Sequence, residues 1–125
     1  MSTSVSVFLV EDETLIRFMT AEMVEELGHR VVAEAGSIEE GLPFAKSADF
    51  DLALLDINIA GDSITPIAEI LERRRLPFLF VSGYKKSGLP EPLDKKPLLQ
   101  KPFQITQLKQ AIEGVLRPDS NQAGR

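Results

Sequence analysis

The chain has 125 residues, a length that suits one domain able to bury a core without disulfide bonds. It contains no cysteine, so disulfides, thiolate nucleophiles and sulfur-ligated metals are excluded. A formal net charge of −5 argues against direct nucleic-acid binding. No export signal or membrane-spanning apolar run is evident, so we expect a cytoplasmic protein with no membrane contact.

Apolar periodicity in the first half alternates between strand-like and helix-like segments. A strand is predicted over residues 5–10, followed by an amphipathic helix that ends at Gly28. A second strand is predicted at 31–33, and then a helix that Ser37 caps and that is interrupted near Pro43. The apolar run at 51–55 predicts a third strand that is covered on both faces.

The second half continues the alternation. A helix over 64–71 with Pro66 in its first turn precedes a fourth strand at 77–81. Glycine and proline within 83–96 allow at most a short or irregular helix. The fifth strand, 97–100, is expected at a sheet edge because Pro97 cannot donate a hydrogen bond. A last helix spans 105–116, so we expect one α/β domain over 1–117 and a mobile polar tail over 118–125.

Chemically reactive side chains occur at or just after the C-terminal ends of the predicted strands: Glu11, Asp12, Asp56, Ser82 and Lys101. Ligands of open parallel sheets bind beyond that edge. Carboxylates gathered there repel each other unless a cation binds, so the pattern predicts a magnesium-type oxygen site and phosphoryl chemistry. Taken singly, each residue has a simpler interpretation: a helix N-cap for Asp12, turn residues for Asp56 and Ser82, and a solvated charge for Lys101.

The order of these motifs resembles the receiver domain of bacterial two-component response regulators over residues 5–117. The resemblance rests on Val10-Glu11-Asp12-Glu13, Asp56 with Asn58 and Gly61, Ser82-Gly83-Tyr84, and Lys101-Pro102-Phe103. It implies a doubly wound, flavodoxin-like fold: a five-stranded parallel sheet in the order 2-1-3-4-5 with helices on both faces.

The resemblance also implies a role for each residue. Asp56 would accept a phosphoryl group from a sensor histidine kinase or a histidine phosphotransfer protein. Four residues would hold Mg²⁺ or Mn²⁺: Asp12, Asp56, the backbone carbonyl of Asn58, and Glu11 through water. Ser82 and Lys101 would stabilise the phosphoryl oxygens, and the Lys101–Pro102 bond is expected to be cis.

Two departures affect how the signal would leave the site. Receivers commonly carry Tyr or Phe three residues before the lysine, whereas this chain has Leu98. The segment around Ser82 and Tyr84, with Phe103, is similar to a subgroup of mostly stand-alone receivers that carry a Phe-Ala-Thr-Gly-Tyr-like motif. We therefore expect a single-domain regulator, with Tyr84, Pro102 and Phe103 as possible modulators, that acts on an unknown downstream protein or serves as a phosphorelay intermediate or sink.

Two other function classes remain open. An aspartyl-phosphate phosphatase also has a nucleophilic aspartate after a strand, but it needs an acid two residues later, where this chain has Asn58. A phosphorylation-independent interaction module on the same scaffold is the second alternative. We expect a non-enzymatic phosphoacceptor with at most slow self-dephosphorylation.

Overall fold

A computed structural model describes residues 4–83 and 89–117. The strands within these ranges are β1 (Ser6–Val10), β2 (Arg30–Ala35), β3 (Leu52–Asp56), β4 (Asn58–Ile59), β5 (Asp62–Ser63), β6 (Phe78–Ser82) and β7 (Leu98–Gln100). The helices are α1 (Thr14–Glu26), α2 (Ile38–Ser47), α3 (Thr65–Arg73) and α4 (Ile105–Leu116), with a 3₁₀ turn at Leu93–Lys95.

Five of the strands form one parallel sheet in the order β2-β1-β3-β6-β7. This is the order 2-1-3-4-5 that the resemblance implied, once the two short strands β4 and β5 are set aside. Helices α1, α2 and α3 are crossover connections of the kind that parallel pairing requires, whereas the described part of the connection from β6 to β7 holds only the 3₁₀ turn. All five C-terminal strand ends therefore lie along one edge of the sheet.

Two apolar clusters cover the two faces of the sheet. One contains Phe8 and Phe80 with residues of α2 and α3, and the other contains Leu54 with residues of α1 and α4. Every residue of β3 is buried, as the prediction of a strand covered on both faces required. The central position of β3 fixes its last residue, Asp56, at the middle of the sheet edge.

Three local features differ from the sequence predictions. The hairpin β4–β5 was not predicted, because two-residue strands are too short to show alternation. Strand β2 runs over Arg30–Ala35 and is longer than predicted, with a bulge opposite Val7 and Phe8. Helix α2 continues through Pro43. Pro43 and Glu39, whose carbonyl has no helical N–H donor because of the proline, are both exposed positions.

The C-terminal strand and its flanks follow the prediction. Strand β7 lies at the sheet edge, directly after Pro97. Residues 89–96 hold only the short 3₁₀ turn, whereas Tyr84 and the expected tail at 118–125 lie outside the described residues. The Lys101–Pro102 bond is cis, as the resemblance implied, and Glu91–Pro92 is also cis. Within 4–83 and 89–117, no helix has both the length and the apolar character needed to cross a bilayer.

Ser37 caps α2, as predicted. Its Oγ accepts a hydrogen bond from the Glu40 N–H at 3.0 Å. We expect Ser37→Ala to lower the free energy of unfolding by about 1 kcal/mol, because an orphan N–H loses its acceptor. Urea unfolding measures the change. Ser47→Ala, at the other end of the helix, is the control and should change stability by less than about 0.5 kcal/mol; equal effects of the two substitutions would contradict this role for Ser37.

Candidate functional site

The site lies at the C-terminal edge of the sheet, where four strands end. Glu11 and Asp12 directly follow β1, Asp56 is the last residue of β3, and Ser82 is the last residue of β6. Lys101 directly follows β7, and its backbone N–H donates to the Ser82 carbonyl at 2.9 Å. Residues up to 90 positions apart in the chain are thus brought together by the parallel strand order alone.

Three carboxylates form the acidic part of the site. One oxygen from each of Glu11, Asp12 and Asp56 lies within 4.8 Å of the other two. Glu11 and Asp56 are buried, with 4% and 8% of their surface exposed, whereas Asp12 is partly exposed. Buried carboxylates this close together require a positive partner.

Lys101 supplies a positive partner for two of the acids. Its Nζ lies 2.8 Å from Glu11 Oε1 and 3.1 Å from Asp56 Oδ2. Burial, the largest single influence, lowers the pKa of Lys101, but the hydrogen bonds to Glu11 and Asp56 outweigh it, so the pKa of the ammonium is raised above 10.5. Lys101 is therefore a fixed cation at neutral pH.

Glu11 is held by two donors of different kinds. Besides the contact with Lys101, its Oε2 accepts a hydrogen bond from the Glu13 N–H at 3.1 Å. Burial raises the pKa of Glu11 above its ordinary value of 4.5, with a further contribution from the charge of Asp56; the two hydrogen bonds oppose this rise without cancelling it. The ionised carboxylate of Glu11 therefore lowers the free energy of unfolding.

Asp12 contacts the hairpin that follows Asp56. Its Oδ2 accepts a hydrogen bond from the Ala60 N–H at 2.9 Å. Ala60 and Gly61 both have positive φ, at 52° and 87°, as the two-residue turn of a β-hairpin requires. The N-cap position of α1 is Glu13, and no side chain caps it, so the N-cap interpretation of Asp12 is wrong.

Asn58 opens this hairpin two residues after Asp56. Its side-chain oxygen accepts a hydrogen bond from the Gly61 N–H at 3.0 Å, which fixes the turn locally. The amide oxygen is thus engaged within the loop itself. The predicted use of the Asn58 backbone carbonyl as a metal ligand stays a prediction.

The donor set suits a small divalent cation. All candidate ligands are carboxylate or carbonyl oxygens, which are the ligands that Mg²⁺ and Mn²⁺ prefer. Two of the three acids are buried and share the ammonium of Lys101, so negative charge is in excess among the described side chains of the cluster. The predicted ligands remain Asp12, Asp56 and the backbone carbonyl of Asn58 for direct contact, and Glu11 through water.

Ser82 and the residues after Lys101 flank the acidic cluster on different sides. Ser82 is 2% exposed and lies beside β7 in the sheet. Pro102 and Phe103 line a cleft of about 360 Å³ against Ile16, Met19 and Met23 of α1. Tyr84, the other predicted modulator, lies outside the described residues.

Arg17 and Ala60 contact the acidic residues, and the sequence did not predict either contact. Arg17 donates to the main-chain carbonyl of Glu11, and the Ala60 contact with Asp12 uses a backbone N–H. Main-chain contacts leave no signal in residue type, so only the Asn58-to-Gly61 turn pattern could have indicated the hairpin.

Replacing Glu11 tests the cost of its buried charge. The pKa of Glu11 is raised in the folded state. The contribution of Glu11 to the free energy of unfolding is therefore fully present below its unfolded pKa and is lost as pH rises through its folded pKa. We expect Glu11→Gln to raise the free energy of unfolding at pH 7, where the carboxylate is ionised, and to give less gain at a pH below the ordinary pKa of 4.5. Urea unfolding at both pH values measures this.

Glu26→Gln, at the exposed end of α1, is the matched control and should leave the difference between the two pH values unchanged. Mg²⁺ should stabilise the Glu11→Gln variant less than the original protein, because the acid predicted to hold the ion through water has lost its charge. A Glu11→Gln protein that is less stable at pH 7 would contradict the argument.

Comparison with known proteins decides the family. The response regulator receiver domain family matches residues 7–113, which is most of the chain. The chain belongs to the response regulator receiver domain family. The transcriptional regulatory protein PdtaR of Mycobacterium tuberculosis is 34% identical over 111 residues, covering 86% of this chain and 54% of PdtaR. The receiver chain thus spans about half the length of that relative.

Solved receiver structures agree with the fold. SdrG from Sphingomonas melonis Fr1 superposes with a TM-score of 0.80 at 32% identity, covering 93% of this chain and 99% of that one. The anti-anti-sigma factor PhyR from Bartonella quintana superposes with a TM-score of 0.82 at 29% identity, covering 99% of this chain and 52% of that one. Receiver domains typically bind Mg²⁺ at an acidic pocket and are generally non-enzymatic phosphoacceptors.

Proposed function

We propose that this receiver domain accepts a phosphoryl group on Asp56 from a phosphohistidine of a sensor histidine kinase or a histidine phosphotransfer protein. The observation that carries the proposal is the position of Asp56: a buried carboxylate at the end of the central strand, with Lys101 Nζ at 3.1 Å and Glu11 and Asp12 beside it. A metal bound by these acids would neutralise charge on the phosphoryl oxygens.

Asp56 is the nucleophile in this reaction. A carboxylate oxygen of Asp56 forms a bond to phosphorus while the bond between phosphorus and the histidine nitrogen breaks, and the electron pair of that bond stays on the imidazole. The product is an acyl phosphate. Of the three clustered acids, Glu11 and Asp12 each accept a hydrogen bond from a backbone N–H. Asp56 is favoured because its partner among the described residues is the Lys101 ammonium, which can move to the transferred group.

Lys101 and Ser82 stabilise the transferred group. The ammonium of Lys101 already lies beside Asp56, so a small movement brings it to a phosphoryl oxygen attached to the same carboxylate. The backbone bond from Lys101 to Ser82 keeps the two strand ends in register. A hydroxyl and an ammonium together supply donors for two of the phosphoryl oxygens.

The surface next to the site supports a protein as the phosphoryl donor. Helix α1 begins two residues after Asp12 and exposes Leu15, Phe18 and Met19 by 67%, 58% and 44%. The cleft lined by Phe103 adjoins the same helix. Exposed apolar side chains grouped beside a polar site indicate protein contact rather than recognition of a small phosphoester.

The downstream part of the proposal is a change of binding surface. An acyl phosphate adds acceptor oxygens at the strand ends and so biases the arrangement of the loops there. The domain would act through a partner protein or pass the phosphoryl group on in a relay. We propose residues 1–117 as the receiver unit, acting in the cytoplasm.

Incubation with phosphoramidate and Mg²⁺, followed by intact mass measurement, tests phosphoryl acceptance. We expect a gain of one phosphoryl group, and its loss when a chelator replaces Mg²⁺. No gain at any phosphoramidate concentration would overturn the proposal. An equal gain in the presence of the chelator would overturn the metal requirement.

The alternative of a phosphatase is tested by the same sample. Asn58 is an amide whose oxygen is held by Gly61, so no acid stands two residues after the nucleophile to protonate a leaving group. We therefore expect one phosphoryl group to be held per molecule without continued turnover. Release of phosphate from p-nitrophenyl phosphate over many cycles would favour the phosphatase.

A further inference from the structure

Arg17 of α1 reaches back to the acidic loop that follows β1. Its Nη1 donates to the Glu11 carbonyl oxygen at 2.6 Å, and its Nε lies 3.4 Å from Glu34 Oε1 of β2. The Arg17 side chain is 21% exposed, so most of it is packed. One side chain therefore links α1 to the ends of two neighbouring strands.

The carbonyl that Arg17 contacts belongs to the peptide unit that joins Glu11 to Asp12. The orientation of this planar unit influences the directions in which the side chains of Glu11 and Asp12 leave the backbone. The other side of the segment is held by the Glu11 N–H, which donates to the Ala35 carbonyl at 3.0 Å. The contact from Arg17 and the contact with Ala35 thus together hold the backbone of Glu11 and Asp12, the two acids that precede α1.

Gly36 provides the space for this contact. A Cβ placed on Gly36 would lie 2.8 Å from Arg17 Nη1 and 3.6 Å from its Cζ. The atom that must move is the end of a flexible side chain, and Gly36 does not have a positive φ. Alanine at position 36 would therefore displace the guanidinium from the Glu11 carbonyl at little cost to the fold.

Two possible roles of Arg17, as a charge and as a positioning residue, predict opposite effects of its removal on Mg²⁺ binding. A cation near an acidic metal site repels Mg²⁺, so if only charge mattered, its removal would strengthen Mg²⁺ binding. If Arg17 fixes the Glu11–Asp12 peptide, its removal would weaken Mg²⁺ binding, because the ligands lose their preset geometry. We infer that Arg17 is a positioning residue for the acidic site, acting through the Glu11 carbonyl in the space that Gly36 leaves. This inference rests on the Mg²⁺ binding that is part of the proposed function.

Two variants separate position from charge. Arg17→Gln removes both the contact and the charge, whereas Gly36→Ala keeps the charge and displaces the contact. We expect both to weaken Mg²⁺ binding, measured by isothermal titration calorimetry, by roughly 10-fold, as for other residues that orient metal ligands. Phosphorylation by phosphoramidate should recover toward the original rate at saturating Mg²⁺.

Two further substitutions serve as controls. Arg30→Gln removes an exposed charge at the far end of β2, and Gly114→Ala adds a methyl group that meets nothing within 4 Å. Neither should change Mg²⁺ affinity. Unchanged or tighter Mg²⁺ binding by Arg17→Gln, or unchanged binding by Gly36→Ala, would overturn the inference even if either variant is less stable.

A second measurement needs neither metal nor phosphoryl donor. The Ala60 N–H donates to the Asp12 carboxylate, so its amide proton resonance reports where that carboxylate lies. In metal-free protein we expect Arg17→Gln and Gly36→Ala to shift the Ala60 resonance toward that of an amide without this bond, and the controls to leave it in place. If the original protein fails to bind Mg²⁺ while Ala60 still shifts, the proposed function fails and the positioning role stands; an unmoved Ala60 resonance would overturn the positioning role.

Discussion

Asp56→Asn is expected to abolish phosphoryl acceptance. An amide lacks the anionic oxygen that attacks phosphorus, and the other two acids of the cluster each accept a hydrogen bond from a backbone N–H. Glu11 is 4% exposed and is bonded to Lys101 and Glu13 N–H. Intact mass measurement after incubation with phosphoramidate and Mg²⁺ should show no gain in the variant, where the original protein gains one phosphoryl group.

The position of the acyl phosphate can be read directly. Borohydride reduces an acyl phosphate to an alcohol, so peptide mass spectrometry of the treated protein should find homoserine at position 56. Asp62→Asn, on the exposed strand β5, is the matched control and should be phosphorylated at the original rate. A phosphoryl gain by Asp56→Asn at that rate would mean that another residue is the acceptor.

Lys101→Met is expected to change reactivity and metal binding in opposite directions. Methionine keeps the apolar stem but removes the cation between Glu11 and Asp56. The phosphorylation rate at saturating Mg²⁺ should fall by roughly 100-fold, the usual loss when a charge-stabilising donor is removed. Mg²⁺ affinity should rise, because the ammonium no longer competes for the same oxygens.

The same variant should be unstable without metal. Two buried carboxylates lose their cation, which we expect to cost about 1–3 kcal/mol in the free energy of unfolding. Added Mg²⁺ should recover most of that loss, since a second cation replaces the first. Lys109→Met, at an exposed position of α4, is the control and should change neither quantity. Equal stability of Lys101→Met and the original protein without Mg²⁺ would contradict this account.

The order of the elements was predictable because each is long enough to show its period. The unbroken apolar run at Leu52–Leu55 indicated a central strand, and Pro97 indicated an edge. The hairpin at Asn58–Ser63 was not predictable in the same way, since it is defined by two left-handed residues and not by periodicity. Pro43 indicated an interruption that the exposed face of α2 tolerates.

The convergence of the site followed from topology, but its contacts did not. Parallel strands place Asp56 and Lys101 at one edge whatever the details of packing. The sequence could not show that Lys101 contacts Glu11 as well as Asp56, because rotamers and burial decide that. Nothing in the sequence indicated the role of Arg17, since its partner is a backbone carbonyl.

The grouping of three acids around a site where Lys101 pairs with two of them also sets an electrostatic balance. Among the described residues, the three clustered carboxylates and the ammonium of Lys101 sum to minus two when all are ionised, a charge that one divalent cation cancels. In the proposed reaction, Asp56 loses its own negative charge and gains a dianionic phosphoryl group. The net charge of the cluster therefore becomes more negative by a single unit. The phosphorylated state would then differ from the unphosphorylated state mainly in the positions of its phosphoryl oxygens. Glutamate at position 56 leaves the net charge of the cluster unchanged and supplies no phosphoryl oxygens, so it would mimic the phosphorylated state poorly.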